Sequence, residues 1–215
     1  GSEMCIRDRI FFELSNNIGA LMKINKEIQY IDGTKLEADA GKYTFVYKTR
    51  IINARKKLWQ KISDSIADIN KNRGLGFKQN NKYCAQEIGY IVQYLFEIMK
   101  KEDIEPVYGR GKRKTEIQRS YDEFLKYYEK VLEYEYWLDI IDERNSCSKT
   151  DHDATMCATK MDYYCNTGLS RPCYNAQIAV SDGVIVNAEL YQRPADSKTF
   201  IPFMERYNEY NGEYP

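Results

Sequence analysis

Three groups of residues in this 215-residue sequence have side chains suited to chemistry. The first is Asp32, set between the apolar run 28–31 and Gly33-Thr34. A carboxylate projecting from a central strand is a hard oxygen ligand for a divalent metal, and a following glycine lets backbone or phosphate approach closely. Asp-Gly between strand-like segments is also a strong hairpin signal, and taken alone the local pattern favours that turn over a metal ligand. The second group is Asp151, His152 and Asp153, with Cys147, Cys157, Cys165 and Cys173 around them. No Cys-x-x-Cys pair of the kind structural zinc uses occurs, and a polar capping loop beside free thiols fits this spacing better than a metal centre. The third group is charge. Residues 48–82 hold ten Lys and Arg, among them Arg55, Lys56, Lys57 and Lys61, against Asp64 and Asp68, and Arg110, Lys112, Arg113 and Lys114 add a second basic loop. Two readings fit. Either these residues contact a DNA backbone, or the first segment pairs with residues 116–143, where nine acidic groups outnumber Arg119, Lys126 and Lys130, as a charge-laced helical couple.

The elements that must position these residues follow from periodicity. Phe11, Leu14, Ile18, Leu21 and Met22 make one helical stripe over 10–26. The nine residues before it look like a translated cloning end and are set aside from the fold. A short strand over about 28–36 carries Asp32. Three amphipathic helices follow, over about 44–72, 83–101 and 114–141, divided by Arg73-Gly74-Leu75-Gly76 and by Pro106, Gly109 and Gly111. After a polar stretch from 145 to 171 the period changes to two. Tyr174, Ala176, Ile178 and Val180 alternate with Asn175, Gln177 and Ala179, Asp182-Gly183 turns the chain, and a second strand runs from 184 to 192. Ser197 or Thr199 then caps a last helix, which tolerates Pro202 only in its first turn. An isolated strand near Asp32, about 140 residues before the hairpin, finds its partners there, because a lone strand cannot stand by itself. The expected organisation is a leader over 1–9, a first helix and strand over 10–43, a helical insertion over 44–145, and a hairpin and helix over 146–215. The fold class is mixed α/β, a sheet interrupted by an antiparallel helical insertion.

Composition bounds the rest. Lys+Arg and Asp+Glu both total 32, so the chain is neither a wholly basic nucleic-acid coat nor an acidic disordered tail. Hydrophobic residues at 43% are enough for a buried core. No apolar stretch approaches the roughly 18 residues that span a bilayer, and no leader of the secretory kind opens the chain, so a cytoplasmic protein with no membrane partner is expected. In that compartment six cysteines read as thiols. Tyr127, Tyr128, Tyr134, Tyr136, Tyr163 and Tyr164 could stack on bases, but amphipathic packing at helix edges is the commoner use of tyrosine.

One resemblance orders these features. Residues 30–38, Tyr-Ile-Asp-Gly-Thr-Lys-Leu-Glu-Ala, followed by Tyr43-Thr44-Phe45-Val46-Tyr47, resemble the first catalytic motif of insertion-sequence transposases of the DDE class. Residues 149–155 and 171–183 resemble the second and third strands of that family with their lead-in, and residues 193–203 the strand-to-helix passage that follows. The resemblance runs in order from about Phe11 to the last residue; Cys173 departs from it, where relatives commonly place glycine. It implies a ribonuclease-H-like sheet in which three carboxylates bind two magnesium ions, with Asp32 as the first. It places the second aspartate and the glutamate beyond Pro215, so the chain is expected to be truncated at both ends and inactive alone. The implied activity of the parent is DNA transposition by metal-dependent phosphodiester cleavage and strand transfer, with double-stranded DNA and a second copy of the chain as partners. The alternative is a non-catalytic DNA-binding or interaction remnant of a mobile element.

Overall fold

The structure is a computed structural model that describes residues 2–158 and 169–215, with side chains from residue 6 onward. In chain order the elements are α1 (Ser2–Met22), β1 (Tyr30–Glu37), β2 (Phe45–Tyr47), α2 (Lys48–Arg73), α3 (Ala85–Lys101), α4 (Glu116–Ile141), β3 (Ser146–Ser148), β4 (Thr155–Ala158), β5 (Ser170–Ser181), β6 (Val184–Tyr191) and α5 (Phe200–Asn211). The protein is mixed α/β with antiparallel strand pairing. It divides into two compact units, one of residues 1–45 with 144–215 and one of residues 46–143. None of the helices among the described residues is long and apolar enough to cross a membrane.

The sheet unit is built on β5. Its twelve residues pair with β1 along one edge, from Tyr30↔Val180 to Glu37↔Cys173, and separately with β6 and with the four residues of β4. Asp182 and Gly183 join β5 to β6 at φ 47° and 80°, the consecutive positive values of a tight hairpin turn. The pairing slips at Ala179/Val180, which turns both Val186 and Asn187 inward. Helices α1 and α5 supply the apolar side chains for that inner face: Phe12, Phe203 and Tyr207 bury against Ala179 and Val186, and Phe12 stacks on Tyr210 at 4.2 Å. Asn187 Nδ2 donates to the Phe203 carbonyl at 2.9 Å, tying β6 to α5.

The structure decides between turn and strand at Asp32 and departs from the sequence expectation in two places. Asp32 and Gly33 form no turn, because β1 runs straight through them in register with Ile178 and Gln177. The polar stretch 145–171 contains β3 and β4. Their serines and threonine conceal them in a hydropathy reading, yet Ser146, Ser148 and Thr155 are buried. Ser146 Oγ is satisfied by the Met156 amide at 3.3 Å and Ser148 Oγ by Thr150 at 3.1 Å. The first helix also begins at Ser2, earlier than expected, so the segment set aside as a leader continues its turns.

The helical unit packs α2, α3 and α4 around Ile62, Ile66, Ile88, Leu95, Phe124 and Val131. Fully buried side chains of this kind contribute about 1.5–3 kcal/mol each. Gly74 ends α2 at φ 65°, and Asn70 clamps the outgoing chain through both the amide and the carbonyl of Phe77 (3.0 and 2.7 Å). Glu87 closes the start of α3 by accepting from the Cys84 amide at 2.9 Å. At the start of α4, Thr115 Oγ1 accepts from the Gln118 amide at 3.3 Å. At the unit's other end Lys48 Nζ donates to the Asp142 carbonyl, so the beginning of α2 meets the end of α4.

Candidate functional site

Alternation along β1 separates two faces. Ile31, Gly33 and Lys35 turn toward the helix-covered side, while Tyr30, Asp32, Thr34 and Leu36 stand exposed on the other. On that second face Tyr30 (75%), Leu36 (46%) and Leu190 (60%) are left open. Asp32 lies in this apolar surround, at a depression of about 350 Å³ lined by residues 30–34 with Ile178 and Val180. Its Oδ1 accepts from the Gly33 amide at 2.9 Å. The Asp32 side chain is otherwise exposed, and a carboxylate oxygen is a hard ligand.

Behind Asp32, on the covered face, is a polar cluster that the sequence reading did not single out. Asp196 Oδ1 accepts from Lys35 Nζ (2.8 Å), Asn175 Nδ2 (2.8 Å) and Gln177 Nε2 (3.0 Å). Asn175 is fully buried and Gln177 nearly so. The Lys35 ammonium, then the Asn175 amide, hold the Asp196 carboxyl below the usual carboxylate range against the opposing effect of burial. This cluster also explains the glycine. A Cβ on residue 33 would collide with Gln177 Nε2 and come within 3.0 Å of Asp196 Oδ1. The signal in the sequence was Asn-x-Gln on one face of β5. In this strand the polar face is the buried one, which inverts the usual reading of alternation.

The 151–153 segment is a structural loop. Asp151 Oδ1 accepts from the amides of Asp153 and Ala154, and Oδ2 from the Tyr174 hydroxyl at 2.6 Å. Burial and that carboxylate push the Tyr174 phenol upward. Asp153 accepts from Gln192 at 2.8 Å, and His152 is half-buried beside them. Cys147, Cys157 and Cys173 are buried free thiols, and burial pushes all three up, Cys157 to about 12. Cys165, Tyr163 and Tyr164 lie outside the described residues. Among the described residues no three His, Cys, Asp or Glu converge as a metal-holding group. Asp32 thus offers one hard ligand, and the residues around it do not by themselves fit a magnesium pair.

The basic candidates separate into engaged and free. Arg55 falls on the core-facing stripe of α2, half-buried, with its guanidinium 4.7 Å over the Trp59 ring. Lys56, Lys57 and Lys61 are exposed, and no ion pair among the described residues joins α2 to α4. The expected charge-laced couple is an apolar contact instead, with Ser65 Oγ donating to Glu123 at 3.3 Å at its rim. Tyr127, also hydrogen-bonded to Glu123, is pushed up to about 12 by burial and by that carboxylate, and Tyr127 and Tyr128 pack against the bundle core. In the second basic segment Lys114 is taken by Asp122 at 2.5 Å, whereas Arg110, Lys112 and Arg113 are exposed.

The chain matches no family model, no curated protein and no solved structure.

Proposed function

We propose that this chain is part of a DDE-class insertion-sequence transposase with a ribonuclease-H-like sheet, a cytoplasmic protein acting on double-stranded DNA with a second copy of itself as partner. The observation that carries the reading is the setting of Asp32: mid-strand, in register with the β5–β6 hairpin, and exposed on the open face of the sheet. A bend facing solvent, remote from the hairpin, would have removed its basis. The antiparallel succession β1, β5, β6 with α5 after it agrees with the order in which the resembling segments occur. In this reading Asp32 is one ligand of a magnesium site whose other carboxylates come from outside the described residues. Two ions about 4 Å apart would serve in-line displacement at a phosphodiester.

The lack of any metal-holding group of three His, Cys, Asp or Glu among the described residues favours one rival, a non-catalytic DNA-binding remnant of a mobile element. Manganese, as a paramagnetic stand-in for magnesium, distinguishes the two. On titration, amide resonances of Asp32 and Gly33 should broaden at lower Mn²⁺ than those of exposed acids elsewhere, such as Glu27 and Asp39, and Asp32→Asn should abolish the difference. Broadening no stronger at Asp32 than at those acids would remove it from a metal role and leave the remnant reading.

A further inference from the structure

We propose that the segment 108–114 of the helical unit is a clamped basic arm that docks on the phosphate backbone of duplex nucleic acid, with Gln118 as its positioning residue. Between Glu105 and Glu116 the chain has four cations and no acid. Both ends of the arm are fixed to α4. Gln118, fully buried, accepts from the Val107 amide at 3.2 Å and donates to the Val107 carbonyl at 2.8 Å. Lys114 pairs with Asp122 at 2.5 Å and lies 5.3 Å from the centre of the Tyr108 ring, while its carbonyl accepts from Arg119 Nε and Nη2 at 3.4 and 3.2 Å.

Between these clamps Gly109 and Gly111 take φ 104° and 82° with open space where a Cβ would stand. The backbone path, not packing, therefore calls for glycine there. The residues they frame, Arg110, Lys112 and Arg113, are exposed, and none has an acidic partner among the described residues. A fixed loop carrying three unneutralised cations repels itself, and a polyanion relieves that repulsion.

The chemistry of the tip selects the partner. A protein interface centres on buried apolar or aromatic anchors, and single-stranded sites stack bases on aromatic rings. The tip has no buried anchor, and its single ring, Tyr108, is 61% exposed with the Lys114 ammonium 5.3 Å from its centre, one engaged ring instead of a platform for successive bases. Cations without anchors fit a duplex backbone, where each neutralised phosphate releases counterions. This inference does not rest on Asp32, and Asp32→Asn should leave it unchanged.

The test is fluorescence anisotropy of the whole 215-residue chain on two duplexes of unrelated sequence, between about 50 and 200 mM salt. Replacing Arg110, Lys112 and Arg113 together by Gln should weaken binding equally on both duplexes and lower the slope of log affinity against log salt by roughly 2 to 3. A charge-matched control, Lys71→Gln with Lys78→Gln and Lys101→Gln, should lower it less. Gln118→Leu, checked by circular dichroism for an intact bundle, should weaken binding while largely keeping the slope, because the cations remain but are no longer held. No duplex binding by the unaltered chain, an unchanged slope in the arm variant, an equal loss in the control, or tighter binding to a single strand or to polyglutamate would each overturn the proposal.

Discussion

A single oxygen of Asp196 gathers three donors from two strands, and this has a pH signature. Its carboxyl is held below the usual range by Lys35 first and Asn175 second, so the unfolded chain takes up a proton at higher pH than the folded one. The stabilisation is therefore fully present above the ordinary carboxylate range and is lost as pH falls through the folded value. Between about pH 6 and pH 3 the thermal midpoint of the unaltered chain should fall toward that of Asp196→Asn. The gap at neutral pH should be small, because the Asp196 side chain is 62% exposed. A gap independent of pH would show that the ionised carboxylate adds nothing. Asp32 was legible as a candidate because an acid followed by Gly-Thr stands out beside an apolar run. Its network was not, since Lys35, Asn175, Gln177 and Asp196 come from three separate parts of the chain and read individually as solvated polar residues. Arg55 illustrates the same limit: its charge placed it with Lys56 and Lys57, whereas the helical period places it with Ile51, Leu58 and Ile62.

Among the elements, β4 is the weakest link to the sheet unit's core, holding β5 through four residue pairs. Cys157 and Cys173 sit on that seam, buried, with thiols pushed up chiefly by burial. A protonated, inaccessible thiol is a poor nucleophile. At neutral pH, alkylation followed by peptide mass spectrometry should modify exposed Cys84 rapidly and Cys157 and Cys173 only as β4 opens, at rates that rise with low denaturant. Native-state alkylation of Cys157 as fast as that of Cys84 would show that the seam is already open. The hairpin β5–β6 was readable because a period of two surrounds an Asp-Gly turn, and the three long helices because their apolar stripes repeat over many turns. β3 and β4 were not readable, because three- and four-residue strands carry almost no period and their buried hydroxyls look like loop residues. The bond that Thr199 makes was also hidden: its hydroxyl donates to the Asp196 carbonyl at 2.9 Å instead of capping α5.

At the scale of the whole molecule, a net charge of zero conceals segregation, with unpaired lysines on α2 and acids on α4, and composition alone could show only that any polarity was local. The strand pairing Tyr30↔Val180 joins residues 150 apart in the 215-residue chain, a separation whose closure is entropically costly and kinetically slow. The bond from Lys48 to the Asp142 carbonyl changes that cost. Once the helical unit has formed, its two ends are neighbours, and the span that β1 must bridge to reach β5 shrinks from well over a hundred residues to the short stretches on either side. Both tryptophans, Trp59 and Trp137, belong to the helical unit, while the buried thiols of β4 and β5 report the sheet. During refolding from denaturant, tryptophan fluorescence should recover before Cys157 and Cys173 become protected against a pulse of alkylating reagent, and simultaneous recovery would mean that the inserted bundle does not act as a splint for the sheet.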